Sequence, residues 1–476
     1  MKIKIIYISI IIVFALNSCD GYLEVDEVGK SSIPVFFADM DGVRAAVPGA
    51  YSLLYSYYDF GFMLYPDAAG DMLRMNVVGA DTKMINEYNY NATPEDEITP
   101  VGRIWRDAYE ALANVNNILE YHPDLVNEFP QDVDELAAIK AETLFMRALI
   151  HFDLVRVYAQ PYNFTSDASH LGIPVLLRTP APDDNEPRST VEETYFQIEE
   201  DLQEALELFE ITTFEAQNNY RASRLAVLSL LARVSLYKEN WSDAVDYATQ
   251  VINEKSLSQG QDYLDMFNTV RANDETIFRL SGKLKSSAVG QFYNTTNPTG
   301  FADSKLVSLL DSEPEGLRLQ LLKREEGDPT AFTLKYYKPG VDVGDVQHDM
   351  LVFRVSEMYL IRAEANASLN NLEAAKEDIK TLQARAQQKT VEEIDILEST
   401  TPSLLALIAN ERAKELCFEG HRLFDLTRTK QDMVRSSDTN AGVSTVTYPD
   451  YRFALPIPQT ELNANTNIIQ NPGYEN

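Results

Sequence analysis

Leu230-Leu231-Ala232…Glu239-Asn240-Trp241-Ser242-Asp243-Ala244 returns 131 residues later as Ile361-Arg362-Ala363…Asn370-Asn371-Leu372-Glu373-Ala374-Ala375. Ala232 matches Ala363, Asn240 matches Asn371, Ala244 matches Ala375, and Val251 matches Leu382. Around these centres, Arg224–Asn253 and Val355–Leu382 each read as two helices joined by a turn of about three residues. Small residues at fixed places let two helices close tightly, which is the tetratricopeptide pattern with its period of ~34 residues. Working outward, Ile104–His122 is predicted to pack with Asp132–Tyr158. Thr190–Glu210 opens on Ser189-Thr190-Val191-Glu192-Glu193, a capping signal, and leads into the first matched pair. A last helix, Ser403–Phe418, stops near Gly420, a suitable C-terminal cap.

Three irregular blocks interrupt the helices: Phe60–Pro100, the Pro-rich Gly172–Pro187, and Lys255–Met350, which is rich in Gly, Asn, Thr and Pro. Loops of that length without regular structure usually serve function. A helical scaffold carrying large irregular insertions is a binding-protein layout.

The N-terminus decides where the chain works. Lys2 and Lys4 precede an apolar run from Ile5 to Leu16, which ends at Leu16-Asn17-Ser18-Cys19. That is a secretory signal over residues 1–18, too short to span a bilayer. A cysteine directly after a small residue resembles a lipobox, although Asn17 departs from the usual small residue two places before it. Cys19 would then carry acyl chains, each buried CH2 contributing about 0.8 kcal/mol, and residues 19–32 would form the tether. No later stretch is long enough for a transmembrane helix. Loss of Lys2 and Lys4 moves the net charge from −32 to −34. Such acidity disfavours nucleic acid and any electrostatic grip on anionic lipid, so the anchor has to be covalent. Cys417, the other cysteine, is left without a partner and sits in a helical pattern as a small buried hydrophobe.

No enzymatic motif stands out. His-Glu-x-x-His, Gly-x-Ser-x-Gly, the phosphate-binding and dinucleotide-binding glycine loops and Cys-x-x-Cys are all missing. The five histidines, at 122, 151, 170, 348 and 421, lack metal-ligand spacing, and Asp342–Asp349 lacks a calcium-loop pattern. No cofactor and no metal are expected. Aromatic residues are the other lead, with 25 Tyr and 21 Phe. Tyr51 and Tyr55 read as an i,i+4 core pair, whereas Tyr65, Tyr88 and Tyr90 fall in an irregular block and are expected to be freer for exposure. Trp105 and Trp241 have helical apolar neighbours and read as core.

The C-terminal third carries motifs of a known family. They are Phe353-Arg354-Val355-Ser356-Glu357-Met358-Tyr359-Leu360-Ile361-Arg362-Ala363-Glu364-Ala365, then Glu411-Arg412-Ala413-Lys414-Glu415-Leu416-Cys417-Phe418-Glu419-Gly420-His421-Arg422-Leu423-Phe424-Asp425, Leu455-Pro456-Ile457-Pro458, and Gln470-Asn471-Pro472-Gly473-Tyr474. Upstream, Ile104-Trp105-Arg106-Asp107-Ala108-Tyr109 and Ala141-Glu142-Thr143-Leu144-Phe145-Met146-Arg147 fit the same set. In that order, behind a lipobox, the chain resembles the SusD/RagB family of surface lipoproteins in Bacteroidetes. Physically the motifs read as scaffold. Asn471-Pro472-Gly473 is a turn that can lock the C-terminus down, and Glu411, Glu415, Glu419, Arg412 and Arg422 can pair across one helix and its continuation.

The resemblance implies a mostly α fold of about four tetratricopeptide-like pairs, with the insertions forming a ligand-facing subdomain. It divides the chain into an N-terminal region, 33–220, and a C-terminal region, 221–476, that includes the insertion 255–350, all in one compact unit. It implies a non-catalytic protein on the outer membrane, facing the cell exterior. There it would capture an oligosaccharide, or in some members a peptide, for a SusC-like TonB-dependent transporter. By the resemblance, ligand contacts would fall in Tyr65–Asn91 and Lys283–Phe301, with Asp71, Arg74, Asn76, Tyr88, Tyr90, Tyr293 and Asn294 as candidates. Starch-binding members use an arc of aromatics rich in Trp, which the two tryptophans here, both read as core, do not supply. A tetratricopeptide scaffold for protein partners and a surface hydrolase are the competing classes. Substituting Cys19→Ala is expected to abolish lipid labelling and to release the protein from membranes or leave the precursor uncleaved. Unchanged retention and labelling would overturn the lipoprotein reading.

Overall fold

The protein's structure, a computed structural model, describes residues 32–474 apart from 77–82, 182–183, 214–217, 269–273, 284, 294–297, 325–330, 339 and 343–346. The export signal 1–18, Cys19, the tether up to residue 31 and Asn294 therefore lie outside the described residues. The main helices are α1 (Met40–Tyr57), α2 (Pro100–Glu128), α3 (Val133–Tyr158), α4 (Val191–Ile211), α5 (Arg224–Tyr237), α6 (Trp241–Glu254), α7 (Ser304–Asp311), α8 (Val355–Ser368), α9 (Leu372–Gln387), α10 (Thr401–Glu415) and α11 (Arg422–Arg428). From α1 to α6 each packs on the next, then α6 on α8 and α8 on α9 and α10. Two at a time, α1/α2, α3/α4, α5/α6 and α8/α9 make four pairs, as the resemblance implies. The expected packing of α2 on α3 is also present, because each helix lies between two neighbours.

The matched turns explain why two distant segments fold alike. After α5, Glu239 takes φ +62°; its N–H donates to the Leu236 carbonyl at 3.2 Å, and the Asn240 N–H donates to Ser235 at 2.9 Å. After α8, Asn370 also has φ +62°, with Asn370 N–H on Ala367 at 3.0 Å and Asn371 N–H on Asn366 at 2.8 Å. Both are Schellman caps, in which a left-handed residue reverses the chain and satisfies the last carbonyls. Ala232, Ala363, Ala244 and Ala375 are completely buried where the helices cross. At α4 the predicted capping box is present, Thr190 Oγ1 accepting from Glu193 N–H at 3.1 Å and Glu193 accepting from Thr190 N–H at 2.8 Å. The helix expected to reach Phe418 ends at Glu415 instead, because Phe418 and Gly420 both have positive φ.

The insertions are more regular than their composition suggests. Strand β1 (Leu73–Met75) from the first block joins β3 (Gly300–Ala302), β5 (Ala331–Thr333) and β4 (Leu322–Arg324) from the central one, in the antiparallel order β1-β3-β5-β4. Gly300 is required there, since a Cβ would lie 2.2 Å from the Phe292 ring. Strand β2 (Thr276–Leu280), wholly buried, pairs with β6 (Met350–Arg354), which runs straight into α8. The C-terminal turn is pinned as expected: the Asn471 amide donates to the carbonyls of Tyr158 at 2.9 Å and Leu455 at 2.7 Å.

Glu411, Glu415 and Glu419 do not pair with Arg412 or Arg422 across the helix and its continuation. Glu415, fully buried at the end of α10, accepts from Arg318 at 2.7 Å, Arg354 at 2.6 Å and Arg385 at 2.8 Å. Arg318 reaches on to Glu411 and Glu313, Arg354 to Glu275 and Glu419, and Lys335 to Glu419. With Lys414 on Glu313 and Glu411, five cations face five carboxylates in the interior. Arg412 and Arg422 pair elsewhere, with Asp425 at 3.0 Å and Asp71 at 2.6 Å. The correction has a simple cause. Glu411, Glu415 and Glu419 share one sign and are dry, so cations from other elements must neutralise them. Replacing Glu415→Gln leaves three guanidinium groups facing a neutral amide and is expected to cost about 3–5 kcal/mol. Urea unfolding reads this as a lowered midpoint at unchanged slope.

One buried carboxylate has no such partners. Glu87, in the short helix Ile85–Asn89, is buried and neither of its oxygens meets a donor among the described residues. Burial pushes its pKa up to about 7 from 4.5. Folded chains thus hold this proton until near pH 7, while unfolded chains release it near 4.5. The contribution is full below pH 4.5 and declines by about 3 kcal/mol as pH rises through 7. Glu87→Gln is therefore expected to match the parent near pH 4 and exceed it in urea midpoint at pH 8. Equal midpoints at pH 8 would show that Glu87 is not held protonated.

Candidate functional site

The residues of the first irregular block converge on a partner that its sequence does not announce, the segment 432–446 that carries β7 (Met433–Val434) and β8 (Thr445–Val446). Arg435 donates to the carbonyls of Ala68 at 3.0 Å, Gly70 at 3.0 Å and Tyr88 at 2.6 Å, folding the block around one guanidinium. Tyr88 is completely buried beneath it, the Arg435 guanidinium 4.3 Å from its ring centroid and its hydroxyl donating to Asn440 at 2.8 Å. Tyr90 is buried with its hydroxyl on the Ala69 carbonyl, and Tyr65 is buried as well. Tyr293 is buried against Tyr336, ring centroids 5.5 Å apart, and donates to Asp67 at 3.3 Å. The expectation of exposed rings at 65, 88 and 90 is corrected. Each ring closes the seam between distant segments, which leaves no face for a sugar to stack on.

The polar candidates divide differently. Arg74 is half-buried, donates to Asp438 at 3.1 Å and lies over the Phe301 ring at 5.0 Å, while Asn76 is exposed at the end of β1. Asp71 is buried yet accepts from Arg422 at 2.6 Å and from Lys305. Burial works against its charge, but Arg422 and Lys305 hold the carboxyl below the usual range.

Asp71 also lines the wall of a cleft of about 900 Å³, alone among the candidate residues. The cleft runs between the turn after α5, the end of α8, the outer face of α10 and α11. Leu405, Ala406 and Ala409 form one apolar wall, and Trp241, the first residue of α6, lines it as well. Trp105 is core as expected, 4% exposed with its indole N–H on Glu461 at 3.2 Å. Trp241 is only half-buried and so is not a pure core residue. At the base, Asp425 takes Arg412 and Arg428, and Glu364 takes Arg428. Buried Arg412 keeps one nitrogen, Nη1, without an acceptor among the described residues. Cys417, half-buried next to this region, has its thiol pushed up to about 11 by burial, which suits the inert role read from the sequence. Lys305, Arg435 and Asp438 lie in stretches with no motif of their own. Their roles follow from pairing across more than a hundred residues, which spacing does not reveal.

Comparison with known proteins agrees with this architecture over nearly the whole chain. The family model described as "SusD family" matches residues 330–474, and one described as "Starch-binding associating with outer membrane" matches residues 26–236. A SusD-like protein, P25, of Formosa agariphila is 24% identical, the alignment covering 100% of this chain and 99% of that one. The crystal structure of a SusD superfamily protein from Bacteroides vulgatus superposes with a TM-score of 0.80 at 26% identity, covering 92% of this chain and 100% of the other. A laminarin-binding SusD-like protein shares the fold, with a TM-score of 0.70 at 21% identity over 92% of this chain and 100% of its own. The two family models together match most of the chain and the superfamily structure superposes on nearly all of it, so this chain belongs to the SusD/RagB family.

Proposed function

We propose that this chain is a surface lipoprotein that captures an oligosaccharide at the outer membrane and delivers it to a SusC-like TonB-dependent transporter. Membership of the SusD/RagB family is the observation that carries this reading. The description "Starch-binding associating with outer membrane" and the laminarin-binding relative both favour a glycan as the captured nutrient. Residues 1–18 would direct export, Cys19 would hold the acyl chains, and 19–32 would space the body from the membrane. Capture fits a cleft whose charged groups are held in pairs.

Two measurements test this. The mature chain applied to a glycan array is expected to bind at least one neutral glycan saturably and without hydrolysing it. Binding to a peptide library with none to glycans would transfer the reading to peptide capture; release of shortened sugars would make it a hydrolase. Mild detergent extraction is expected to recover the protein with a large β-barrel transporter. Elution alone, under conditions that keep other outer-membrane complexes together, would remove the delivery step and favour a scaffold for other partners.

A further inference from the structure

We propose that the cleft between α6, α8, α10 and α11 seats a neutral oligosaccharide, with Trp241 as the ring against which a sugar lies; this rests on the glycan-capture reading above. Its volume, about 900 Å³, lies at the upper end of small-ligand clefts. Its lining divides as a pyranose divides. Trp241 from α6 and Leu405, Ala406 and Ala409 from α10 offer apolar surface to sugar C–H faces. The base offers fixed polar groups to the hydroxyls.

Those polar groups are already oriented by one another. Asp71 is held by Arg422 and Lys305, Asp425 by Arg412, and Glu364 by Arg428. A carboxylate has about four acceptor sites and a guanidinium five N–H donors, so a pair retains hydrogen bonds to give. Sugar hydroxyls, which both donate and accept, suit such a base without breaking a pair.

Charge selects the class of sugar. Five cationic and five acidic side chains line the cleft, so its lining carries no net charge, while the mature chain around it carries −34. A uronate or sulfated glycan would be repelled on approach and find no unpaired cluster of cations on arrival. A neutral glycan meets neither penalty.

The chain's two tryptophans make this testable, because Trp105 is buried and Trp241 lines the cleft. In a Trp105→Phe background the emission comes from Trp241 alone. Laminarihexaose and maltohexaose are the neutral probes and hexagalacturonate the anionic one, each also titrated by calorimetry. At least one neutral hexasaccharide is expected to shift the emission and protect it from acrylamide. Trp241→Ala is expected to weaken that binding about tenfold and Trp241→Phe by clearly less. Urea midpoints establish that both variants fold, and the emission result stands on its own if Trp241→Ala does not.

Calorimetric binding of a neutral hexasaccharide that leaves Trp241 emission and quenching unchanged would place the sugar elsewhere, overturning the cleft while leaving glycan capture intact. Tighter binding of hexagalacturonate would overturn the neutral class. No heat with any of the three probes would count against the cleft and the capture reading together.

Discussion

Glu415 is the point on which the rest of the interior depends. Its carboxylate sits at the end of α10 and binds Arg318 from the central insertion, Arg354 from the end of β6 and Arg385 from α9. These are three different elements, and a displacement of any one strips a buried charge of its partner. Through Arg354 and Arg385 the same cluster reaches Glu275, which also accepts from the Ser258 N–H at 3.0 Å and so draws in the chain that follows α6. Hydrophobic packing would tolerate small slides between helices; a dry lattice of five cations and five carboxylates does not. The insertion is therefore part of the body and not a loop hung upon it.

The helix pairs were legible because what makes them is local. Small residues at 232, 244, 363 and 375 and a left-handed turn at 239 and 370 are properties of a stretch of about thirty residues, and a stretch of that length carries them openly. The end of α10 was less legible, since Phe418 takes a left-handed turn that nothing in its side chain favours. The fate of Tyr88, Tyr90 and Tyr293 was not legible at all. Whether a tyrosine in an irregular block faces water depends on what covers it, and here the cover is Arg435 and Asn440 for Tyr88 and Tyr336 for Tyr293. Trp241 shows the converse, an amphipathic helix start that reads as core yet borders a cleft formed by segments more than a hundred residues away.

At 21–26% identity to the proteins compared, this chain keeps the family frame while most individual positions differ. Motif residues that stand out in the sequence, such as Arg354, Glu357, Glu411 and Glu415, are all buried and all paired. Their roles are set by electrostatics inside a dry core. Ligand choice lies in groups that line open space, and these carry no such constraint. That is why the frame identifies the family more readily than it identifies the sugar.

The sheet order β1-β3-β5-β4 and the grip of Arg435 on the carbonyls at 68, 70 and 88 also bear on how the chain acquires its shape. Strand β1 has no partner until residues 300–302 are available, and the block around Tyr88 has no cover until residue 435 arrives. Closing loops of that length is entropically slow, so the N-terminal block stays open until almost all of the chain is present. A chain that emerges N-terminus first does so in the wrong order for this design, with its earliest segment waiting for its latest. Its apolar residues stay open to aggregation throughout that interval, a hazard that the topology itself sets.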